Sequence, residues 1–471
     1  MNAPIIVWFR RDLRLSDHAA LSAAQKSNRP VIPVFIRDCV VDDLGAAPKW
    51  RLGLGLNAFA RSLDDIASKL ILRSGDAQTV LATLMAETGA TSVYWTRAYD
   101  PASTQRDTAT KAFFRKAGVD VKSFGGHLMF EPWTVETKTG GFYRVYSPYW
   151  RAVKDRHVET PLAKVTSLLS PKEWPNCENL EDWRLGRAMQ RGASVVLPFA
   201  QIGEDAAQYR LEQFIQTRAD TYKADRDFPA IDATSRLSEN LALGEISPHQ
   251  CWHAGMRALL EGCAGAEHFL KEVVWREFAY HLMLHTPDIL TRNWKPDWDK
   301  FPWNTDGTHS DVIAWKQGRT GIRFVDAAMR EMYVTGRMHN RARMIVASYL
   351  TKHLMTHWTI GKDWFERCLI DWDPAANAMG WQWAAGSGPD AAPYFRVFNP
   401  VSQLEKFDPQ SHYADRWIAE GKSAPHPDAL RYFDAIPRSW QLSASAPYPA
   451  PIVTAAEGRA RALAAYEGRQ F

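Results

Sequence analysis

The chain has 471 residues, 46% of them hydrophobic and 23% charged, with a formal net charge of +4. Its 21 Phe, 20 Trp and 15 Tyr exclude disorder of the whole chain, and 28 Gly with 5 Cys exclude collagen-like and disulfide-scaffold classes. Single cores stop growing near ~250–300 residues, so at least two folding units are expected.

Met1-Asn2-Ala3-Pro4 places no basic region ahead of Ile5–Phe9, and that apolar stretch is too short for a signal peptide. No apolar run reaches the ~18 residues of a membrane span, so a cytoplasmic protein without membrane contact is expected. Cys39, Cys177, Cys251, Cys263 and Cys368 are scattered with no CxxC pair. Isolated reduced thiols are expected, with no zinc or iron–sulfur site.

In chain order, Ile5–Phe9 reads as a buried strand and 31–36 as a second, despite Pro33. Residues 57–70 space Phe59, Leu63, Ile66 and Leu70 for a helix. Ile71-Leu72 is a short third strand, 78–87 a helix, 92–95 the fourth strand, 105–116 a helix and 119–124 the fifth strand. This alternation implies a five-stranded parallel sheet with right-handed crossovers and ligands at the carboxyl ends of its strands. No GxGxxG follows the first strand, where Arg10-Arg11-Asp12-Leu13-Arg14 stands instead, so an ordinary nicotinamide site has no support. Beyond Gly125, Pro132, Pro148, Pro161, Pro171 and Pro175 mark a long connector with little regular structure, of the kind that is functional or wraps another domain.

From Gly203 onward helical spacing dominates. Helices are expected over 206–221, from Ser247-Pro248 with serine as cap, and over 267–285, 322–335 and 339–355. Another is expected over 363–370 with Asp363 as N-cap, and the chain ends soon after an amphipathic stretch at 456–466. The expected architecture is therefore an α/β domain (1–125), a connector (126–200) and an all-helical domain (201–471).

Several segments carry chemistry. Thr234, Ser235, Arg236, Leu237 and Ser238 place three hydroxyls and a guanidinium together, as a diphosphate requires, though a polar loop with a helix cap has the same composition. Glu272, Trp275 and Arg276 share one helical face and could grip a base, or form an ion pair beside a core tryptophan. Asn340, Arg343 and Met344 share another face, suited to phosphate and base-edge contacts or to plain solvation. Asp371, Asp373 and Asn377 resemble a metal loop, but the sixth position is Ala376 rather than glycine, which rejects a calcium hand. Trp381-Gln382-Trp383-Ala384-Ala385-Gly386 mixes aromatics with small residues, which lets a flat ligand approach the backbone or packs a helix–loop junction tightly.

Together these segments resemble the photolyase/cryptochrome family over nearly the whole chain. The match starts at Trp8-Phe9-Arg10-Arg11-Asp12-Leu13-Arg14-Leu15, includes Thr234 to Ser238 and Trp275-Arg276-Glu277-Phe278, and is densest over 336–400. Its most specific part is Asp390-Ala391-Ala392-Pro393-Tyr394-Phe395-Arg396-Val397-Phe398-Asn399-Pro400. Within the family the chain is similar to bacterial cyclobutane pyrimidine dimer photolyases, of class I or the related class III. The resemblance implies a lyase acting on DNA that contains pyrimidine dimers, with FAD held in a U shape by the helical domain. Light-driven electron donation from reduced flavin would split the dimer. It further implies a monomer without an obligate protein partner.

By position, the resemblance gives Tyr222, Thr234, Ser235, Leu237 and Ser238 to the FAD phosphates, and Arg343 with Asp371 to an ion pair against the flavin ring. Asp373 would contact the adenine–ribose side or the flavin edge, and Asn377 would face the flavin nitrogen that titrates. Glu272 would hydrogen-bond the thymine carbonyls as an acid kept protonated by burial. Trp275 and Trp383 would stack on the dimer with Asn340 and Met344 beside it, and Arg226 and Arg341 would contact phosphates. Trp381, Trp358 and Trp303 match the family's tryptophan chain for photoreduction.

Members that repair (6-4) photoproducts place two histidines where Asn340 and Met344 stand, so cyclobutane dimers are the expected substrate. Tyr99-Asp100-Pro101-Ala102-Ser103 lacks the Asn-Glu pair that contacts a folate antenna in class I. The expected antenna is methenyltetrahydrofolate held differently, with 8-hydroxy-deazaflavin as the alternative. Trp372 and Pro374 stand where many members have small or aliphatic residues. The competing functions are a cryptochrome-type blue-light photoreceptor, whose members often carry a C-terminal extension not seen here, and a two-electron flavoprotein, which would need a nicotinamide site.

Overall fold

The computed structural model describes residues 2–390 and 395–469. Strands β1 (Ile5–Phe9), β2 (Val31–Arg37), β3 (Ile71–Ser74), β4 (Ser92–Thr96) and β5 (Asp120–Phe124) form one parallel sheet in the order β3-β2-β1-β4-β5. Ile5 pairs with Val31 on one side and Ser92 on the other. All five residues of β1 are buried, as in a strand covered on both faces. The covering helices are Ala19–Lys26, Ala46–Asp64, Ala77–Thr88 and Pro101–Lys116. The second begins eleven residues before the expected 57 and stops before Leu70, which leads into β3. Pro48, Gly53 and Gly55 disguise its first half, and Ala67 at φ 57 is part of the turn that follows it.

Strand order reverses between β1 and β4, which makes their carboxyl ends the topological switch point. The segment that follows β1 docks the helical part of the chain there. Leu13 N–H donates to Leu243 O at 3.2 Å, and Leu15 and Ser16 N–H donate to Glu204 at 2.7 and 2.9 Å. Arg14 reaches Gly244 O at 3.0 Å. Gly244 sits at φ +66 with its missing Cβ only 2.1 Å from Arg11 O, so only glycine lets the two segments approach this closely.

The connector runs back along the sheet. Asp17, Val165, Val31 and Glu178 N–H groups bond to Leu162, Leu15, Leu169 and Leu72 carbonyls, at 2.8–3.1 Å, giving the stretch backbone partners without strands of its own. It carries a two-turn helix, Tyr146–Val153, a shorter one, Gly192–Val196, and short 3₁₀ turns.

The remainder is helical. Pro248–Leu260 starts with a capping box between Ser247 and Gln250. Ala266–His285, Arg323–Thr335 and Asn340–Ser348 follow, and a π turn at Tyr349–His353 ends what was expected as one helix to 355. The expected cap at Asp363 is corrected: the helix is Trp358–Cys368, and His357 accepts from Thr359 N–H at its start, leaving Asp363 mid-helix. Helix Pro374–Ala385, capped by Asp373, buries Ala375, Ala378, Trp381, Gln382, Ala384 and Ala385 and joins a core with Trp315, Trp358 and Trp381 at its centre. Helix Ala455–Glu467 packs Gly458 against His353. No helix among the described residues is long and apolar enough to cross a membrane.

Candidate functional site

Several segments of the helical part line a cavity of about 840 Å³. Helix Ala266–His285 contributes Phe269, Glu272, Val273 and Arg276, spaced by three and four residues along one face, with Trp275 beside them. Helix Asn340–Ser348 contributes Asn340, Arg343, Met344 and Ala347 at the same spacing. Helix Pro374–Ala385 contributes Asn377, Trp381 and Trp383, and the loop ahead of Ser238–Leu243 contributes Thr234, Ser235 and Leu237, with Tyr222 below. Of the residues expected at the site, Arg341, Trp358 and Trp303 do not line the cavity. Ala391–Tyr394 of the most specific stretch lie outside the described residues.

The expected ion pair forms. Arg343 Nη2 donates to Asp371 Oδ2 at 2.7 Å, and Ser238 Oγ donates to the same oxygen at 2.7 Å. Asp373 is engaged within the protein. Its Oδ1 caps helix Pro374–Ala385 through Ala376 N–H at 3.0 Å, and its Oδ2 accepts from Tyr280 at 2.6 Å and Arg11 at 3.1 Å. Burial opposes its charge, but Arg11, Arg276, the Ala376 N–H and the Tyr280 hydroxyl together hold it below the usual carboxylate range. It thus ties the segment after β1 to the cavity wall. Asn377 donates to Lys362 O at 3.0 Å.

Glu272 has a partner within the protein: its side chain is 34% exposed and accepts from Arg226. Arg341 pairs with Asp227 at 2.5 Å and lies over Phe407. Both expected phosphate contacts therefore have a carboxylate partner within the protein. Trp275 stacks on Tyr146 with centroids 3.7 Å apart and planes 7° from parallel, which braces the indole from one side.

Sequence reasoning passed over Glu331, Arg337, His339 and Arg416, which also line the cavity. Burial raises the Glu331 carboxyl despite the Tyr413 hydroxyl that donates to it at 2.5 Å. Burial likewise pushes the His339 imidazole down to about 4. Single charges in helical runs have no pattern that separates a buried wall from a solvated face.

Gly361 and the His357 ring stand beside the three tryptophans of the expected chain. Trp381 is in the cavity wall, 2% exposed, with its ring edge on Gly361, where any Cβ would fall 2.0 Å from Cη2. Gly361 is one turn beyond fully buried Trp358, whose indole N–H donates to Asn293 at 2.8 Å. The His357 ring stands between Trp358 and partly exposed Trp303, with centroids 5.6 and 5.8 Å away. A bridge between Asn304 and Thr356 holds Trp303 there.

Several buried polar atoms on the cavity wall have no partner among the described residues: Asp371 Oδ1, Arg337 Nε, His339 Nε2 and the indole nitrogens of Trp372, Trp381 and Trp417. Such groups are costly unless a ligand or water meets them. A large cavity with a hydroxyl-rich loop, guanidiniums and broad aromatic walls fits a dinucleotide carrying a flat ring system.

Residues 5–167 match the family of DNA photolyase, and residues 269–468 match the FAD binding domain of DNA photolyase. A deoxyribodipyrimidine photo-lyase of Agrobacterium fabrum is 45% identical, covering 99% of this chain and 98% of the relative. A bacterial class III photolyase structure from Agrobacterium tumefaciens superposes with a TM-score of 0.92 at 44% identity, covering 100% of this chain and 98% of that one. An archaeal photolyase from Sulfolobus tokodaii, solved with two FAD molecules and an implied novel light-harvesting cofactor, gives a TM-score of 0.81 at 27% identity, covering 98% and 99%.

Proposed function

The chain belongs to the DNA photolyase family, and from that premise we propose how its cavity divides the work. The protein is an enzyme that repairs cyclobutane pyrimidine dimers in DNA by a light-driven reaction with FAD. The observation that carries the site assignment is one cavity lined both by a hydroxyl loop and by Glu272, Trp275, Trp383, Asn340 and Met344.

Thr234, Ser235, Leu237, Ser238 and Tyr222 would hold the cofactor's phosphates, and Arg343 with Asp371 and Asn377 would border its flavin ring. When bound and reduced, FAD supplies on absorbing near-UV or blue light the electron that cleaves the dimer. A dimer must leave the helix to enter the cavity, because a base inside the stack cannot reach a buried cofactor. Trp275, braced by Tyr146, would stack on the extruded bases, with Trp383 and Met344 adding apolar contact. Glu272 would hydrogen-bond a thymine edge, with Arg226 free to share its charge with the adjacent phosphate. Arg341 would contact phosphate nearby. Asp373 would keep the N-terminus of Pro374–Ala385 in place rather than grip ligand. Trp381, Trp358 and Trp303 would carry an electron inward to load the cofactor.

We assign 1–125 to an antenna-binding unit, 126–200 to a connector and 201–471 to the catalytic unit. Tyr99 and Asp100 are spent internally, on Glu131 and on the N-terminus of Pro101–Lys116, which favours an antenna contact elsewhere. Methenyltetrahydrofolate is our assignment, and 8-hydroxy-deazaflavin is the alternative. A monomer working in the cytoplasm completes the proposal. The test offers the holoenzyme two oligonucleotides, one with a cyclobutane dimer and one with a (6-4) photoproduct. The amide of Asn340 and thioether of Met344 supply no acid–base pair, so only the first should be repaired. Efficient repair of the second would overturn the substrate assignment.

A further inference from the structure

We infer that Arg337 binds the dinucleotide's diphosphate as the charge partner of the cavity's hydroxyl loop, an inference that rests on the FAD reading above. Gly336, at φ +68, ends helix Arg323–Thr335, and its missing Cβ would lie 2.7 Å from Ile370, so a tight turn presents Arg337 to the cavity.

The charges around it do not balance. Glu239 is fully buried and accepts from Arg51, Arg210, Arg337 and Gln201 N–H. Glu245, also fully buried, is taken by the same Arg51 through two contacts, at 2.9 and 2.6 Å. Three guanidiniums thus share two hydrogen-bonded carboxylates, with Arg236 and Asp371 the next charges around Arg337. The strain registers on Arg210, pushed down to about 10 by burial and by Arg337. A surplus buried cation is unfavourable unless an anion completes the cluster.

The other guanidiniums on the wall each meet a carboxylate that serves at most two arginines. Arg226 has Glu272, Arg236 shares Asp232 with Arg218, Arg276 has Glu277, Arg343 has Asp371 and Arg416 shares Asp428 with Arg431. Arg337 alone among these six divides one acid with two other arginines, while lining the cavity. That divided acid points to an anion in the cavity beside it. The diphosphate is the anionic part of FAD, and Arg236, a charge neighbour of Arg337, lies within the hydroxyl loop.

The experiment follows flavin fluorescence as holoprotein is diluted, at low and high salt. R337Q leaves Glu239 with Arg51 and Arg210, so the fold is kept. It should raise the FAD dissociation constant about 10- to 100-fold, the worth of a charge-assisted hydrogen bond. It should also flatten the salt dependence, while the absorption spectrum of bound flavin stays unchanged. R337K should recover part of the affinity and the salt dependence together. Wild-type affinity and salt dependence in R337Q would overturn the inference, as would an affinity loss that leaves the salt dependence untouched. A wild-type protein that neither carries FAD nor takes it up would instead sink the FAD reading.

Discussion

Replacing Arg343 by alanine strands the Asp371 carboxylate. That side chain is 5% exposed, whereas Arg343 is 28% exposed. After the change, one Oδ keeps only the Ser238 hydroxyl, and the other is already buried without a partner among the described residues. Breaking a buried pair by removing one partner costs ~3–5 kcal/mol. Ser238 remains and Arg343 is partly hydrated, which places the loss near the bottom of that range, at about 3 kcal/mol. Most of that is desolvated charge rather than lost attraction. Removing the charge as well, in R343A/D371N, should therefore recover more than half of it, a coupling of at least ~1.5 kcal/mol. Denaturant unfolding of wild type, both single variants and the double variant, followed by circular dichroism, measures the cycle. FAD retained per chain is read alongside. A double variant as unstable as the sum of the two singles would refute the reasoning.

Trp381→Phe should block light-driven reduction of oxidised FAD by external donors while FAD stays bound, and chemically reduced enzyme should still repair. Normal photoreduction in the variant would show that another route dominates. Trp275→Ala should weaken dimer binding by ~1–3 kcal/mol through loss of its stacking face; titration of labelled damaged DNA checks this, and an unchanged affinity would place the bases elsewhere. Burial raises the Glu277 carboxyl from 4.5 to about 7, against Arg276 and the Phe130 and Met129 N–H groups. An acid raised in the folded state binds its proton there more readily than in the unfolded chain, so its contribution to stability is lost as pH rises from about 4.5 to 7. Glu277→Gln keeps an acceptor for both N–H groups, and the difference in melting temperature between variant and wild type should grow in the variant's favour across that window. A difference that does not change with pH would contradict the assignment.

Much of the architecture was legible because its signals are local. Continuous apolar runs such as Ile5–Phe9 belong to strands buried on both faces, and Ser247-Pro248 marks a helix start through backbone chemistry alone. Helix Pro374–Ala385 has no charged residue and so lacks a polar stripe, although Asp373-Pro374 was a readable start. Asp363 misled because histidine, not aspartate, caps Trp358–Cys368. At the site, spacing placed Glu272, Arg276, Asn340, Arg343 and Met344 on shared faces, and the cavity brings those faces together. Glu272's ion pair with Arg226, 46 residues away, and the sharing of Glu239 by three arginines depend on tertiary contacts that no local pattern encodes.

The central claim is that the cavity joins FAD to an extruded dimer so that light splits the lesion. It is tested most directly by illuminating fully reduced holoenzyme with an oligonucleotide carrying one thymine dimer and resolving the products by chromatography. The account predicts restored thymines in the light and none in the dark or with flavin-free protein. An intact dimer after illumination, with FAD bound and reduced and DNA bound, would contradict it.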